Sequence, residues 1–178
     1  LCISREFRLL AAHESSPVTD WLRALVRKIH AEHGGPGVGA IGMCLTGNFA
    51  LSLAVEPALM APVLSQPALP LPTSADRKAA LAISPGEVAT IQRRVEQEDY
   101  KVLGLCFSAD PKVPRERFAT LRQQFGRGFE AIEIDSSPGN KHGIPKGAHS
   151  VLTVDLVREA GHPTEQALQR VLEFLHER

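Results

Sequence analysis

Cys44 lies in the string Gly42-Met43-Cys44-Leu45-Thr46-Gly47, between the short apolar run Val38–Ile41 and the helix-like stretch Leu45–Val55. Small residues on both sides of a cysteine suit a sharp strand-to-helix turn, because such a turn leaves little room for flanking side chains. The turn would lift the sulfur out of the sheet and set it beside the unpaired N–H groups of a helix start, where partial positive charge favours thiolate. The competing reading is that Cys44 fills core space as a small hydrophobe, as free cysteine often does. Of the three cysteines in the chain, Cys106 sits inside the run Val102–Phe107 and reads as core filling, and Cys2 carries no informative context.

A thiol that attacks a carbonyl carbon needs a base to take and return its proton, and the base needs a carboxylate to orient it. Asp110 follows the strand-like run ending at Phe107, in Asp110-Pro111-Lys112-Val113-Pro114, and His149 follows a later strand, in Gly147-Ala148-His149-Ser150. Loops of this kind project from the carboxyl edge of a parallel sheet, the edge that would carry Cys44. Each has a rival: His142, in what reads as an exposed turn after Asn140, and Asp135, beside the turn-forming Ser136-Ser137-Pro138.

Taken in chain order, these three segments resemble the dienelactone hydrolase family, a branch of the α/β-hydrolase fold with a cysteine nucleophile. Residues 42–47 resemble its cysteine elbow, 110–114 its acid loop and 147–150 its histidine loop, and the resemblance spans about residues 37–178. It implies that Cys44 is the nucleophile, His149 the base and then the acid, Asp110 the orienting carboxylate, and the Leu45 amide an oxyanion donor. It also implies no cofactor and a small ester or lactone as substrate. Thr46 stands where the family often has glycine, and Thr153 where members that cleave dienelactone have an arginine for the substrate carboxylate. About forty residues precede Cys44, fewer than the strands that come before the elbow in the α/β-hydrolase fold require, so the expectation is a form of the fold without them.

The elements that must position these residues alternate along the chain. A helix begins at Ser16-Pro17, with Trp21, Leu22, Leu25, Val26 and Ile29 at helical spacing, and ends at Gly34-Gly35. Strands are predicted over 38–41, 59–64, 101–107 and 129–134. Helices are predicted over 45–55, from a Ser84-Pro85-Gly86-Glu87 capping box through Val95, over 115–125 and over 164–175. The prolines of 67–72 mark a loop that covers a pocket or merely connects elements, and Val151–Val157 fits either strand or helix. The pattern is that of an α/β fold, a mostly parallel sheet with helices on both faces, built as one domain over residues 1–178.

The chain has 178 residues, 43% of them hydrophobic and 22% charged, with a formal net charge of zero. No basic run or interleaved aromatic patch supports nucleic-acid binding, and no apolar span suits a membrane helix. Three cysteines without metal or disulfide spacing fit a reducing, cytoplasmic setting. His30 and His33 lie three apart at a helix end with no third ligand nearby, which suits a solvated terminus better than a metal pair. Arg5 and Arg8 could reach an anionic substrate or form part of an exposed charged stretch. A second reading of the whole chain is a non-catalytic binding or interaction module on a reduced hydrolase scaffold, whose open sheet edge would favour a partner or a second copy.

Overall fold

The computed structural model describes residues 17–68 and 73–178. Its centre is a four-stranded sheet of β1 (Val38–Met43), β2 (Leu59–Ser65), β3 (Val102–Phe107) and β4 (Phe129–Ile134), in sequential order and parallel throughout. Six α-helices accompany it among the described residues: α1 (Pro17–His33), α2 (Thr46–Leu53), α3 (Ala75–Ala79), α4 (Pro85–Glu98), α5 (Arg115–Phe125) and α6 (Pro163–His176). Each strand in this order returns through a helical crossover, so every strand delivers its carboxyl end to the same rim.

Alternation along the central strands divides the core. Leu64, Val102 and Cys106 pack with Leu51 of α2, Ile91 and Val95 of α4, and Phe118, Leu121 and Phe125 of α5. Ala61, Val63, Leu103, Leu105 and Phe107 face the other way, onto Ala167, Val171 and Phe174 of α6 and onto Ile144, Ala148 and Val151. All six residues of β3 are buried, as expected of a strand covered on both faces. Helix α1 closes the β1 end through Val26 and Leu22 against Leu53 and Leu59. Among the described residues, no helix is long and apolar enough to cross a membrane.

The Ser84 capping box forms in both directions: Glu87 N donates to Ser84 Oγ and Ser84 N donates to Glu87 Oε2. Three sequence expectations need correction. Trp21 is 63% exposed, because α1 turns its Val26 and Leu22 side to the fold and Trp21 lies off that stripe. Helix α3 was not predicted; the Ser74 side chain starts it by accepting from Arg77 N. Val151–Val157 is neither strand nor helix but a set of turns, since the Asp155 carboxylate accepts from the successive N–H groups of His149 and Ser150 and so competes with regular pairing.

Candidate active site

Cys44 follows β1 directly and adopts φ 54°, a left-handed conformation that costs a non-glycine residue on the order of 1–2 kcal/mol. Its surroundings hold it there. A Cβ on Gly42 would lie 2.3 Å from the Thr46 carbonyl oxygen, and one on Gly47 would lie 2.8 Å from Pro67 Cβ, so both flanking glycines are required by close approach. Cys44 N donates to Ser65 O at 3.1 Å, and Cys44 O accepts from Gly47 N at 3.1 Å and Ala68 N at 3.2 Å. Thr46 completes the turn: its hydroxyl donates to Met43 O at 2.7 Å and accepts from Met43 N at 2.8 Å. The threonine therefore clamps the turn with a side chain that glycine lacks.

Leu45 occupies the N-cap position of α2, ahead of the helix's own hydrogen bonds, and no acceptor among the described residues takes its N–H. Its carbonyl is held twice, by Asn48 N at 3.1 Å and Asn48 Nδ2 at 2.8 Å. Asn48 is fully buried; Nδ2 also donates to Ala68 O at 2.8 Å, and Oδ1 accepts from Arg117 Nη2 at 2.5 Å. Arg117 has no exposed surface either; Nη1 donates to Ala80 O at 2.8 Å and Nη2 also to Leu81 O at 3.3 Å, while Nε has no partner among the described residues. Burial lowers its pKa to about 9, which still leaves it cationic at neutral pH. Asn48 and Arg117 thus tie the turn at Cys44 to α5, the helix that leaves the Asp110 loop.

That loop leaves β3 at Phe107. The Asp110 side chain is fully buried and divides its oxygens: Oδ1 accepts from Lys112 N at 2.9 Å, and Oδ2 lies 2.6 Å from His149 Nδ1. A carboxylate only accepts, so Nδ1 carries the proton and Nε2 of the neutral ring is left with its lone pair free to accept. His149 Nε2 is itself buried and has no hydrogen-bond partner among the described residues. Asp155 fixes the backbone beneath the ring, its Oδ2 accepting from His149 N at 2.9 Å and Ser150 N at 2.8 Å.

Asp110 and His149 are therefore in direct contact, and Cys44 and Leu45 stand on the same rim, but no hydrogen bond joins Cys44 Sγ to His149 Nε2. The rivals lie elsewhere. Asp135 is exposed, and its Oδ1 accepts from Ser137 N at 2.9 Å and the Ser108 hydroxyl at 3.4 Å; the Ser137 contacts, chiefly, lower its pKa. His142 is exposed and rests edge-on against His162, ring centroids 5.2 Å apart. Cys106 is buried, and desolvation, with Glu133 and Asp110 nearby, pushes its thiol up to about 12. Thr153 is exposed on the turn after His149. No cluster of three or more metal-ligating side chains occurs among the described residues, His30 and His33 included. Arg5, Arg8 and Cys2 lie outside the described residues.

Asn48, Arg117 and Asp155 were not singled out in the sequence. The first two had a signal: Asn48 is an amide within the apolar Phe49–Leu53 helix, and Arg117 shares the buried stripe of Phe118, Leu121 and Phe125. Asp155 had none, since its role depends on a turn that sequence pattern does not specify.

A parallel α/β sheet with helices on both faces, and a left-handed residue between strand and helix at its carboxyl rim, is the arrangement on which hydrolases of this fold mount a nucleophile. The chain belongs to the dienelactone hydrolase family, matching it over residues 2–178, a reach that extends well ahead of the motifs at 42–47, 110–114 and 147–150. No curated protein and no solved structure matches the chain.

Proposed function

We propose that this protein hydrolyses a small carboxylic ester or lactone through an acyl-cysteine intermediate, with Cys44 as nucleophile, His149 as base and acid, and Asp110 as the group that orients the imidazole. The observation that carries this reading is the 2.6 Å contact between His149 Nδ1 and Asp110 Oδ2, which leaves an unpaired, buried Nε2 on the rim that holds Cys44. His149 Nε2 takes the Cys44 proton, the sulfur bonds to the carbonyl carbon, and the carbonyl oxygen becomes an oxyanion that accepts from Leu45 N. Collapse breaks the bond to the alkoxy oxygen, which leaves with the proton from Nε2. Water then gives its proton to Nε2 and attacks the thioester, the acid departs, and the proton returns to sulfur. The first transfer requires the thiol to come within hydrogen-bond reach of Nε2. The reaction requires no metal or organic cofactor.

The absence of a Cys44–His149 hydrogen bond favours a second reading, a non-catalytic interaction module that has kept the scaffold and binds a partner or another copy. Thiol chemistry separates the two. For the enzyme, iodoacetamide alkylates Cys44 faster than free cysteine and spares Cys106, and Cys44→Ala abolishes ester turnover with the fold intact. Ester hydrolysis retained by Cys44→Ala would overturn the triad, and a sluggish Cys44 would favour the module.

A further inference from the structure

Gln66, immediately after β2, combines burial, a strained backbone and a half-satisfied side chain. It is 2% exposed and adopts φ 38°. Left-handed non-glycine residues persist where surrounding contacts over-determine them, and they concentrate at functional sites. Those contacts are present: Gln66 N donates to Leu105 O at 2.6 Å, and Gln66 Oε1 accepts from Val151 N at 3.4 Å and from the Ser65 hydroxyl. The orientation of the amide is thereby determined. Val151 N–H can only donate, so the end facing it is the oxygen and the NH2 end points away. No acceptor among the described residues takes a proton from Nε2, so the buried amide keeps an unpaired donor.

The position of that donor is defined by its neighbours. Residues on both sides of Gln66 bond to the nucleophile's own peptide groups, Ser65 O to Cys44 N and Ala68 N to Cys44 O. Its side chain reaches Val151, two residues beyond His149. Gln66 therefore bridges the turn that carries the thiol and the loop that carries the imidazole. On the histidine side of the sulfur the departing oxygen receives its proton, whereas the oxyanion lies toward Leu45 N.

Building on the hydrolase reading above, we propose that Gln66 is a specificity-determining residue whose Nε2 donates to a neutral acceptor oxygen in the alcohol portion of the substrate, close to the leaving oxygen. The preferred substrates are then esters or lactones with a carbonyl, hydroxyl or ether oxygen in that portion. An amide donor left unpaired discriminates against the analogue that lacks the acceptor.

The test compares 2-methoxyethyl acetate with butyl acetate, which differ by one oxygen in place of a methylene. In the full chain the methoxyethyl ester is expected to have the higher kcat/KM by about tenfold, the discrimination of one buried hydrogen bond. In Gln66→Glu, which keeps the oxygen facing Val151 but removes the donor, the ratio is expected to fall to one or below. A readout without turnover accompanies it: in Cys44→Ala, the side-chain NH2 resonances that Gln66→Glu lacks are expected to shift with the methoxyethyl ester and stay in place with the butyl ester. An unchanged ratio in Gln66→Glu, or resonances that neither ester moves, overturns the proposal for Gln66 alone. Hydrolysis that survives Cys44→Ala overturns the catalytic reading instead, whatever Gln66 does.

Discussion

Asn48→Ala is the sharpest test of how this fold holds its left-handed cysteine. The side chain makes three bonds, two of them buried: Nδ2 to the part-buried Leu45 O and to Ala68 O, both at 2.8 Å, and Oδ1 from Arg117 Nη2 at 2.5 Å. The two neutral bonds contribute about 0.5–1.5 kcal/mol each and the bond to the guanidinium about 1.5–3 kcal/mol. Leu81 O, 3.3 Å from the same Nη2, recovers part of the last contribution. The expected loss is about 3–5 kcal/mol, which at a urea slope of about 1–3 kcal/mol per molar moves the midpoint down by more than about 1 M. The guanidinium should account for a distinct share. In an Arg117→Met background, which replaces the buried cation with an apolar chain, Asn48→Ala should be milder by about 1.5–3 kcal/mol. A single-variant loss below about 1 kcal/mol, or two substitutions that simply add, would refute the idea that Arg117 acts on the elbow through Asn48.

Three further outcomes follow from the same geometry. Asp110→Asn keeps an oxygen for Lys112 N but can present its NH2 to His149 Nδ1 and so favour the wrong tautomer; kcat for ester hydrolysis should fall by about 10⁴-fold, with circular dichroism unchanged. Asp155→Ala frees the backbone N–H groups of His149 and Ser150; amide hydrogen exchange should accelerate over 149–155 while α6 stays protected, and uniform protection would contradict the role given to that carboxylate. Glu87 is partly buried, which opposes its charge, yet hydrogen bonds from Ser52 and Ser84 and the Arg23 cation bring its pKa below the ordinary 4.5. A lowered carboxylate pKa adds stability above the unfolded value and loses it as pH falls through the folded one. Glu87→Gln should therefore destabilise at pH 7, with the gap narrowing as pH falls below 4.5 in urea titrations, and a gap that does not change with pH would exclude this origin.

The parts of this protein that were legible in its sequence are those that local rules specify. Ser84-Pro85-Gly86-Glu87 announces a helix start because its partners are three residues apart, and both of its hydrogen bonds form. The strand expected over 101–107 could be read because a strand covered on both faces demands a short apolar run, and that over 129–134 because Phe129, Ala131, Ile132 and Ile134 keep an apolar run going around Glu130 and Glu133. The Gly42 and Gly47 flanks of Cys44 could be read because a left-handed turn at a strand end excludes side chains by contact within a few residues. The contact between Asp110 and His149 spans 39 residues, and only the order of three loops on one rim suggested it.

What was not legible depends on partners distant in sequence and on groups that carry no pattern. Arg117 and Asn48 are 69 residues apart, and a lone arginine on an apolar helix stripe is as readily a snorkelling surface residue as a buried one until the carbonyls of Ala80 and Leu81 close over it. The consequence is physical. A buried cation with no carboxylate beside it is tolerated only where several acceptors converge, so α2, α5 and residues 80–81 must dock together for Nη1 and Nη2 of Arg117 to find their acceptors. α2 begins beside Cys44 and α5 follows the loop of Asp110, so one guanidinium makes the seating of the Cys44 turn conditional on the seating of the Asp110 loop. A family fold that must bring three separate loops to one rim gains from such conditional docking, since a partly assembled rim leaves a charge unpaired and is therefore scarcely populated.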